Sequence, residues 1–304
     1  MDLDFVRIEC DVVADAPSAQ LSAVLHEAVR NFEVYFKASC CCHSQRDSCA
    51  FCVESGECPY WIVFSRQLST DPEVVRIHQK PSLPFSLYII LVDSIISSYT
   101  IGIVVIGSAL NYLELFYATL LNMVETCIHT MLSPAAFSMH CYSLDYQGVR
   151  NEIRHAESLP ETVFLLSGQY VLANSVHSNK CSLLFISPLR LLCNGSIAHQ
   201  FDFAMFFRSQ LRRCSSLCAY YGTGELPLDF TGLSKAAQNV TVLRDGIRYT
   251  QPGWSKRQNR AGLTGSAECS GLIEPMYSLL LFGSYFNAGK GASYGAGFYQ
   301  LNAF

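Results

Sequence analysis

The sequence lacks the features of an exported or membrane-spanning protein. Its first residues, Met-Asp-Leu-Asp-Phe, hold neither a basic nor an apolar segment, so we expect no secretory signal peptide. We therefore expect a cytoplasmic protein whose 14 cysteines are buried thiols or metal ligands rather than disulfides. The 20 residues 94–113 carry no charge, but their hydroxyl groups and the Gly107-Ser108 break favour a strand and a helix over a membrane span.

Two common nucleotide-binding motifs are also missing, although glycine is concentrated near the end of the chain. A dinucleotide-binding motif runs from a strand through glycines into a helix, whereas here an apolar helical run comes first and a short strand last. The spacing likewise does not match a P-loop. The cluster, which we call the glycine loop (residues 288–297), allows two interpretations: an anion-binding loop or a flexible C-terminal hairpin. Its candidate binding residues are Gly289, Lys290, Gly291, Gly295 and Gly297.

Acidic residues are absent from a long stretch between Asp245 and Glu268. A similar asymmetry divides the whole chain. Residues 1–165 carry 9 Lys and Arg against 19 Asp and Glu, a net charge of −10, and residues 166–304 carry 12 against 6, a net charge of +6. A basic half joined to an acidic half indicates one surface for a polyanion and another for a different partner.

The stretch without acids combines cations with aromatic rings. Cations bind phosphates and rings stack on bases, which is the combination that single strands and stem-loop junctions of RNA require. The candidate residues are Arg248, Tyr249, Trp254, Lys256, Arg257 and Arg260. A second basic group lies on a predicted helix and consists of Arg208, Arg212 and Arg213. It is either a further contact to RNA or a solvated helix face.

A cysteine-rich segment follows the first predicted helix. Cys42, Cys49, Cys52 and Cys58 place four thiols within 17 residues. Thiolates at this spacing can close a tetrahedral zinc site that holds a short insert with little core of its own. An iron–sulfur cluster and free thiols remain open alternatives. A redox pair at Cys49 and Cys52 is disfavoured, because no strand leads into a helix there.

One predicted helix carries candidates for acid–base chemistry. Apolar spacing predicts this helix over residues 19–36. Its polar face carries His26, Arg30, Glu33 and Lys37. A histidine beside an arginine can remove the proton of a ribose 2′-hydroxyl while the cations stabilise the phosphorane. A solvated face is the alternative, and His155 and His199 are weaker candidates.

Both halves of the chain repeat one order of elements. The first half predicts strands at 5–13, 84–91 and 99–106, helices at 19–36 and 110–126, and closing strands within 127–165. The second half predicts strands at 182–192, 246–250, 262–270 and 295–301 and helices at 203–221 and 273–286. Two βαββαβ halves indicate an α+β protein of two tandem ferredoxin-like (RRM-like) domains, at 1–165 and 180–304, with a cysteine-rich insert at about 38–60.

Several segments, in this order, resemble one protein family. They are Cys58-Pro-Tyr, Gln79–Phe85, Ile101–Leu113, Ser187–Leu191, Asp202–Arg213, Ser255–Gln258 and the glycine loop. With them the chain resembles the CRISPR-associated endoribonuclease that processes pre-crRNA, the sixth Cas protein, of the RAMP superfamily.

The resemblance implies metal-independent cleavage of CRISPR repeat RNA, which leaves a 2′,3′-cyclic phosphate and a 5′-hydroxyl and needs no cofactor. It implies a pair of ferredoxin-like domains and a glycine loop that contacts RNA. It also implies a general base near the first helix, where His26 is the histidine of this sequence. We therefore expect His26 to act as general base or acid and Arg30 and Lys37 to stabilise the phosphate.

Two other functions stay open. One is a non-catalytic RNA-binding subunit of a CRISPR effector complex that retains the crRNA repeat. The other is a zinc-stabilised interaction protein whose acidic half docks on other Cas subunits. Cleavage of repeat RNA by the protein distinguishes the endoribonuclease from both of these alternatives.

Overall fold

The structure, a computed structural model, describes residues 2–42, 49, 52, 56–132, 136–154, 159, 163–250 and 261–303. The strands are β1 Asp4–Ala14, β2 Phe85–Asp93, β3 Ser98–Ile106, β4 Phe137–Leu144, β5 Arg150–Ile153, β6 Leu166–Ser167, β7 Lys180–Leu189, β8 Leu192–Cys193, β9 Ser196–Ile197, β10 Thr241–Asp245, β11 Arg248–Thr250, β12 Gly262–Ser270 and β13 Tyr299–Ala303. The helices are α1 Ser18–Arg30, α2 Phe32–Cys40, α3 Pro59–Phe64, α4 Pro72–Ile77, α5 Leu113–Met131, α6 Gly168–Ala173, α7 Phe203–Tyr221, α8 Phe230–Ala236 and α9 Glu274–Ser284.

The first sheet has the strand order of a ferredoxin-like domain. It runs β2-β3-β1-β4-β5, and β6 pairs with the start of β1. Successive side chains of a strand point to opposite faces, so every second residue of β1 faces α1, α2 and α5. These core residues of β1 are Val6, Ile8, Cys10 and Val12.

The second sheet repeats this arrangement. Its order is β10-β12-β7-β13, with β11 also paired to β12, and α7 packs against α9. In each domain the first strand is central and lies between the third and the last strand of the βαββαβ unit. The prediction of two tandem ferredoxin-like domains is therefore confirmed. The exact domain boundaries stay a prediction, since β6 and α6 lie between the two sheets.

The second domain packs on the face of the first sheet that its own helices leave open. The ring of Phe5 lies 4.9 Å from that of Tyr285 and 5.1 Å from that of Phe286, between centroids. Tyr88 and Phe298 stack with centroids 4.4 Å apart. We call this contact the domain seam. Because these rings join the two cores, the seam holds the end of α9 against the first domain.

The first predicted helix differs from the observed one. Residues 19–36 do not form one helix, because α1 ends at Arg30 and α2 begins at Phe32. Between them the Asn31 side chain donates to the carboxylate of Glu27 at 2.8 Å. The apolar spacing continues across the break, so periodicity alone does not reveal it. The short polar strand β10 was likewise not predicted.

Two cysteines contradict the expectation of unpaired thiols. Cys10 and Cys141 form a disulfide between β1 and β4. The register of these strands sets the two residues directly opposite each other, with Cα atoms 4.1 Å apart. Register depends on tertiary pairing, so the sequence did not indicate this contact. In the residues described, no helix combines the length and apolarity needed to cross a bilayer.

Candidate nucleic-acid interface

The glycine loop is held on both sides of the domain seam. The Lys290 N–H donates to the carbonyl of Arg190 at 2.8 Å, next to the end of β7. On the other side, the N–H of Leu87 in β2 donates to the carbonyl of Ser293 at 3.1 Å. The loop therefore contacts both domains, and its place at the seam depends on both.

Two of its glycines are required by packing. Gly289 has φ of 75°, and a Cβ there would lie 2.6 Å from the carbonyl oxygen of Arg190. Gly297 has φ of 66°, and a Cβ there would lie 2.0 Å from the carbonyl oxygen of Ala288. Only glycine fits both the positive φ and the close approach.

The middle of the loop is more open. At Gly291 the nearest contact of an added Cβ is a side-chain atom at 3.4 Å. Among the hydrogen bonds of the described residues, none starts from the N–H groups of Gly291 and Ala292. The adjacent Lys290 is exposed. Backbone donors beside a cation form a surface suited to a phosphate.

A buried amide pair fixes the start of the loop. The Asn287 side chain donates to the carbonyls of Leu87 at 2.7 Å and Ala292 at 2.8 Å. Gln210 of α7 donates to the carbonyl of Asn287 at 3.1 Å. Neither residue was predicted from the sequence, because a buried amide gives no periodic or compositional signal.

One carboxylate links the loop to the first domain. The Tyr294 hydroxyl donates to Glu33 Oε2 at 2.9 Å, and the Tyr60 hydroxyl donates to Glu33 Oε1 at 3.0 Å. Burial, with the nearby Glu33 charge, raises the pKa of both tyrosines, so both remain donors. Tyr60 follows the last cysteine of the insert, so Glu33 connects the insert with the glycine loop.

Two of the predicted catalytic residues share a cavity beside this link. The cavity has a volume of about 370 Å³, and its lining includes Arg30, Glu33, Lys37 and Tyr60. The Lys37 ammonium lies 5.3 Å from the centre of the Tyr60 ring, and Arg30 forms an ion pair with Glu27. His26 lies one turn earlier on α1 and does not line the cavity. The structure thus brings the two cations together without the histidine.

The three arginines predicted on α7 have different environments. Arg212 is exposed and Arg208 is partly exposed. Arg213 is partly buried in the domain seam, where it donates to the carbonyl of Phe286 at 2.7 Å and to the hydroxyl of Ser86 at 2.8 Å. Burial lowers the pKa of Arg213 to about 10. Arg213 therefore joins the domains, whereas the other two lie at the surface and stay predicted RNA contacts.

The predicted RNA-binding hairpin is described only at its base. Arg248 is exposed, and its guanidinium donates to the carbonyl of Ile247 at 2.7 Å. Tyr249 stacks on His199 with ring centroids 3.9 Å apart. The remaining predicted contacts lie outside the described residues and stay predictions: Trp254, Lys256, Arg257 and Arg260. His155 lies outside them as well.

The predicted zinc ligands are not assembled in the described part of the chain. There, no three His, Cys, Asp or Glu side chains form a group that could hold a metal ion. The four predicted ligands, Cys42, Cys49, Cys52 and Cys58, belong to that part, whereas residues 43–48, 50–51 and 53–55 do not. The zinc site stays a prediction.

Family models match both domains separately. The model of the CRISPR-associated endoribonuclease Cas6 matches residues 183–299. A second model, described as an N-terminal domain, matches residues 3–137. A search of curated proteins finds no match.

Solved structures share the fold of the whole chain. Thermus thermophilus Cas6 (TTHB231) aligns with a TM-score of 0.53 at 12% identity, covering 99% of this chain and 100% of that one. A product complex of Cas6 (TTHB231) aligns with a TM-score of 0.54 at 13% identity, covering 98% and 99%. A Cas6 (TTHA0078) product complex gives 0.50 at 13% identity, covering 99% and 100%. At these identities the likeness concerns the fold.

Proposed function

We propose that this chain is a CRISPR-associated endoribonuclease of the Cas6 type, which binds CRISPR repeat RNA at the domain seam and cuts pre-crRNA into guides. The main support is the glycine loop. Within the described part of the chain its Gly291 and Ala292 N–H groups donate no hydrogen bond and lie beside Lys290, and Tyr294 links the loop to the cavity of Arg30 and Lys37. This arrangement offers donors and cations to successive phosphates of one strand.

The proposed reaction uses no metal. The ribose 2′-oxygen attacks the neighbouring phosphorus, a base removes the 2′-hydroxyl proton, and the bond to the 5′-oxygen breaks as that oxygen takes a proton. The products are a 2′,3′-cyclic phosphate and a 5′-hydroxyl. His26 is proposed as general base or acid, and Arg30 and Lys37 stabilise the negative charge of the phosphorane.

A cleavage assay in EDTA tests this proposal. Labelled repeat RNA is incubated with purified protein and resolved on a denaturing gel. We expect one cut with a cyclic-phosphate end. His26→Ala should slow cleavage about 10²- to 10⁴-fold, while His140→Ala, an exposed histidine on β4, should cleave normally. Cleavage that requires a divalent metal, or an unchanged rate in His26→Ala, would contradict the mechanism.

A second candidate function is a non-catalytic subunit that retains the crRNA repeat. It is favoured by the separation of His26 from the cavity and by the ion pair between Arg30 and Glu27. The same gel distinguishes the two candidates, because tight binding with intact RNA supports the non-catalytic subunit. In either case we propose a cytoplasmic protein whose acidic first domain contacts other Cas subunits.

For the cysteine insert we propose a structural zinc ion held by Cys42, Cys49, Cys52 and Cys58. Its support is the spacing of the thiols alone, because the described residues contain no assembled metal group. Metal analysis of the purified protein should find about one zinc per chain, and Cys49→Ser should reduce that content. A chain purified without bound metal would contradict the site.

A further inference from the structure

A cluster of three side chains lies beside the glycine loop. Arg190 follows the end of β7, and Tyr249 lies on β11. Leu189 of β7 pairs with Leu263 of β12, which in turn pairs with Tyr249. The pairing of these strands therefore brings Arg190 and Tyr249 to the same end of the sheet.

The third member, His199, is held by a small hairpin. Strands β8 and β9 pair with each other, and the Ala198 N–H donates to the carbonyl of Leu191 at 2.8 Å. The His199 ring stacks on Tyr249, with centroids 3.9 Å apart and planes inclined by 19°. His199 is exposed, whereas Tyr249 is partly buried. The outer face of the histidine ring can therefore receive another flat ring.

Arg190 supplies an unpaired buried donor. Its Nε atom is buried and has no hydrogen-bond partner in the part of the chain that the structure describes. Its Nη1 atom lies 3.7 Å from the position that a Cβ of Gly291 would take, so the guanidinium reaches the open part of the glycine loop. Buried polar atoms without a partner are rare and need an explanation. Here the chemistry favours an anion, because a cation and loop amides converge.

We infer that Arg190, His199 and Tyr249 form a subsite for one single-stranded nucleotide of the bound RNA. The base extends the stack on His199, and the attached phosphate binds Arg190 beside Gly291. This inference rests on the proposed function, because it assigns one contact of the same RNA. None of the three residues takes part in bond cleavage.

Two variants separate the base contact from the phosphate contact. His199→Ala should weaken binding of repeat RNA about tenfold without changing its salt dependence, because it removes a stacking surface. Arg190→Gln should lower the slope of log K against log salt by about 0.7, because it removes one phosphate contact on a single strand. Arg76→Gln, which removes an exposed charge on α4, is the matched control and should bind normally.

RNAs with single abasic positions identify the stacked nucleotide. At one position, removal of the base should weaken wild-type binding about tenfold and should leave His199→Ala unaffected. Tyr249→Phe keeps the ring and should behave as wild type. Because His199 is exposed, His199→Ala should keep the fold and the stability of wild type, which chemical unfolding checks.

The outcomes distinguish the subsite from the function. If the wild-type protein does not bind repeat RNA, the proposed function fails. If it binds, but His199→Ala and Arg190→Gln match the Arg76→Gln control, the subsite alone is wrong. If every abasic position lowers the RNA affinity of His199→Ala to the same extent, no single nucleotide depends on this ring, and the subsite is also wrong.

Discussion

The two ferredoxin-like domains share one topology but use different connections. In the first domain, α5 leads to β4 through residues 132–136. In the second, α9 leads to β13 through the glycine loop, which the seam holds against both domains. The strand order therefore sets where each connection lies, while the residues of the connection set the contacts that it makes.

Charge is also used differently in the two domains. In the first, acids pair internally: Arg150 binds Glu9 and Asp11, each at 2.6 Å, and the Tyr88 hydroxyl donates to Glu9 at 2.7 Å. In the second, the ion pairs of the described residues leave Arg190 without a carboxylate. Part of the first domain's charge is thus used within the fold, whereas in the described part of the second domain Arg190 has no carboxylate partner.

The largest expected effect is on the free energy of unfolding, and it compares a glycine of the glycine loop with a glycine of the first domain. Gly297→Ala should lower the free energy of unfolding by at least about 3 kcal/mol, since it adds a clash with Ala288 to the cost of a positive φ. Gly148→Ala, in the first domain, has φ of 82° but nothing within 4 Å, so it should cost about 1 kcal/mol. Urea unfolding measures both, and equal losses would show that packing does not distinguish the loop.

A second experiment tests the seam between the domains. Arg213→Ala should lower the free energy of unfolding by about 2 kcal/mol, because it removes partly buried hydrogen bonds of a charged group to Phe286 and Ser86. Its neighbour Arg212 is exposed, so Arg212→Ala should change stability by less than about 0.5 kcal/mol and weaken RNA binding instead. The assignment of the two arginines is wrong if these effects are exchanged.

A third experiment tests the link from the first domain to the glycine loop. Glu33→Gln leaves one carbonyl oxygen for two tyrosine hydroxyls, so it should cost about 1 kcal/mol of stability and reduce RNA affinity. Glu73→Gln, in an exposed pair with Arg76, should cost less than about 0.5 kcal/mol and leave affinity unchanged. Unfolding curves and RNA titrations are compared; unaltered affinity in Glu33→Gln would argue against the link.

The smallest effect tests the charge difference. Lys290→Gln should lower the slope of log K against log salt for RNA binding by the amount expected for about one phosphate contact. Its free energy of unfolding should stay within about 0.5 kcal/mol of the wild-type value. Lys80→Gln removes an exposed lysine from the first domain and should leave RNA binding unchanged. RNA titrations at several salt concentrations measure this slope for both variants. Equal slopes would mean that the loop lysine does not contact RNA.

Much of the fold was predictable because it depends on local patterns. Helix α7 has the predicted bounds, 203–221, since an Asp202 cap precedes a periodic apolar face. Strands β1 and β3 were close to their predicted bounds because they alternate or are rich in β-branched residues. The break at Asn31 was not predictable, because the apolar period continues through it.

The candidate site was only partly predictable. The density of glycine near Lys290 marked the loop from composition alone and left an anion-binding loop and a flexible hairpin as its two interpretations. It did not indicate Glu33, whose two tyrosine partners come from residues 60 and 294, or the Arg190 Nε, which has no hydrogen-bond partner among the described residues. Such contacts join residues distant in the chain, so no local pattern reveals them.

The sequence by itself determined the element order, the doubled βαββαβ plan, the charge asymmetry and the presence of the glycine loop. These follow from periodicity, composition and the conformational freedom of glycine. Only the tertiary structure decided that the loop lies in the domain seam, that Arg213 bonds across the seam while Arg212 is exposed, and that Cys10 faces Cys141. The reason is physical: strand register and domain packing are set by the simultaneous burial of distant residues.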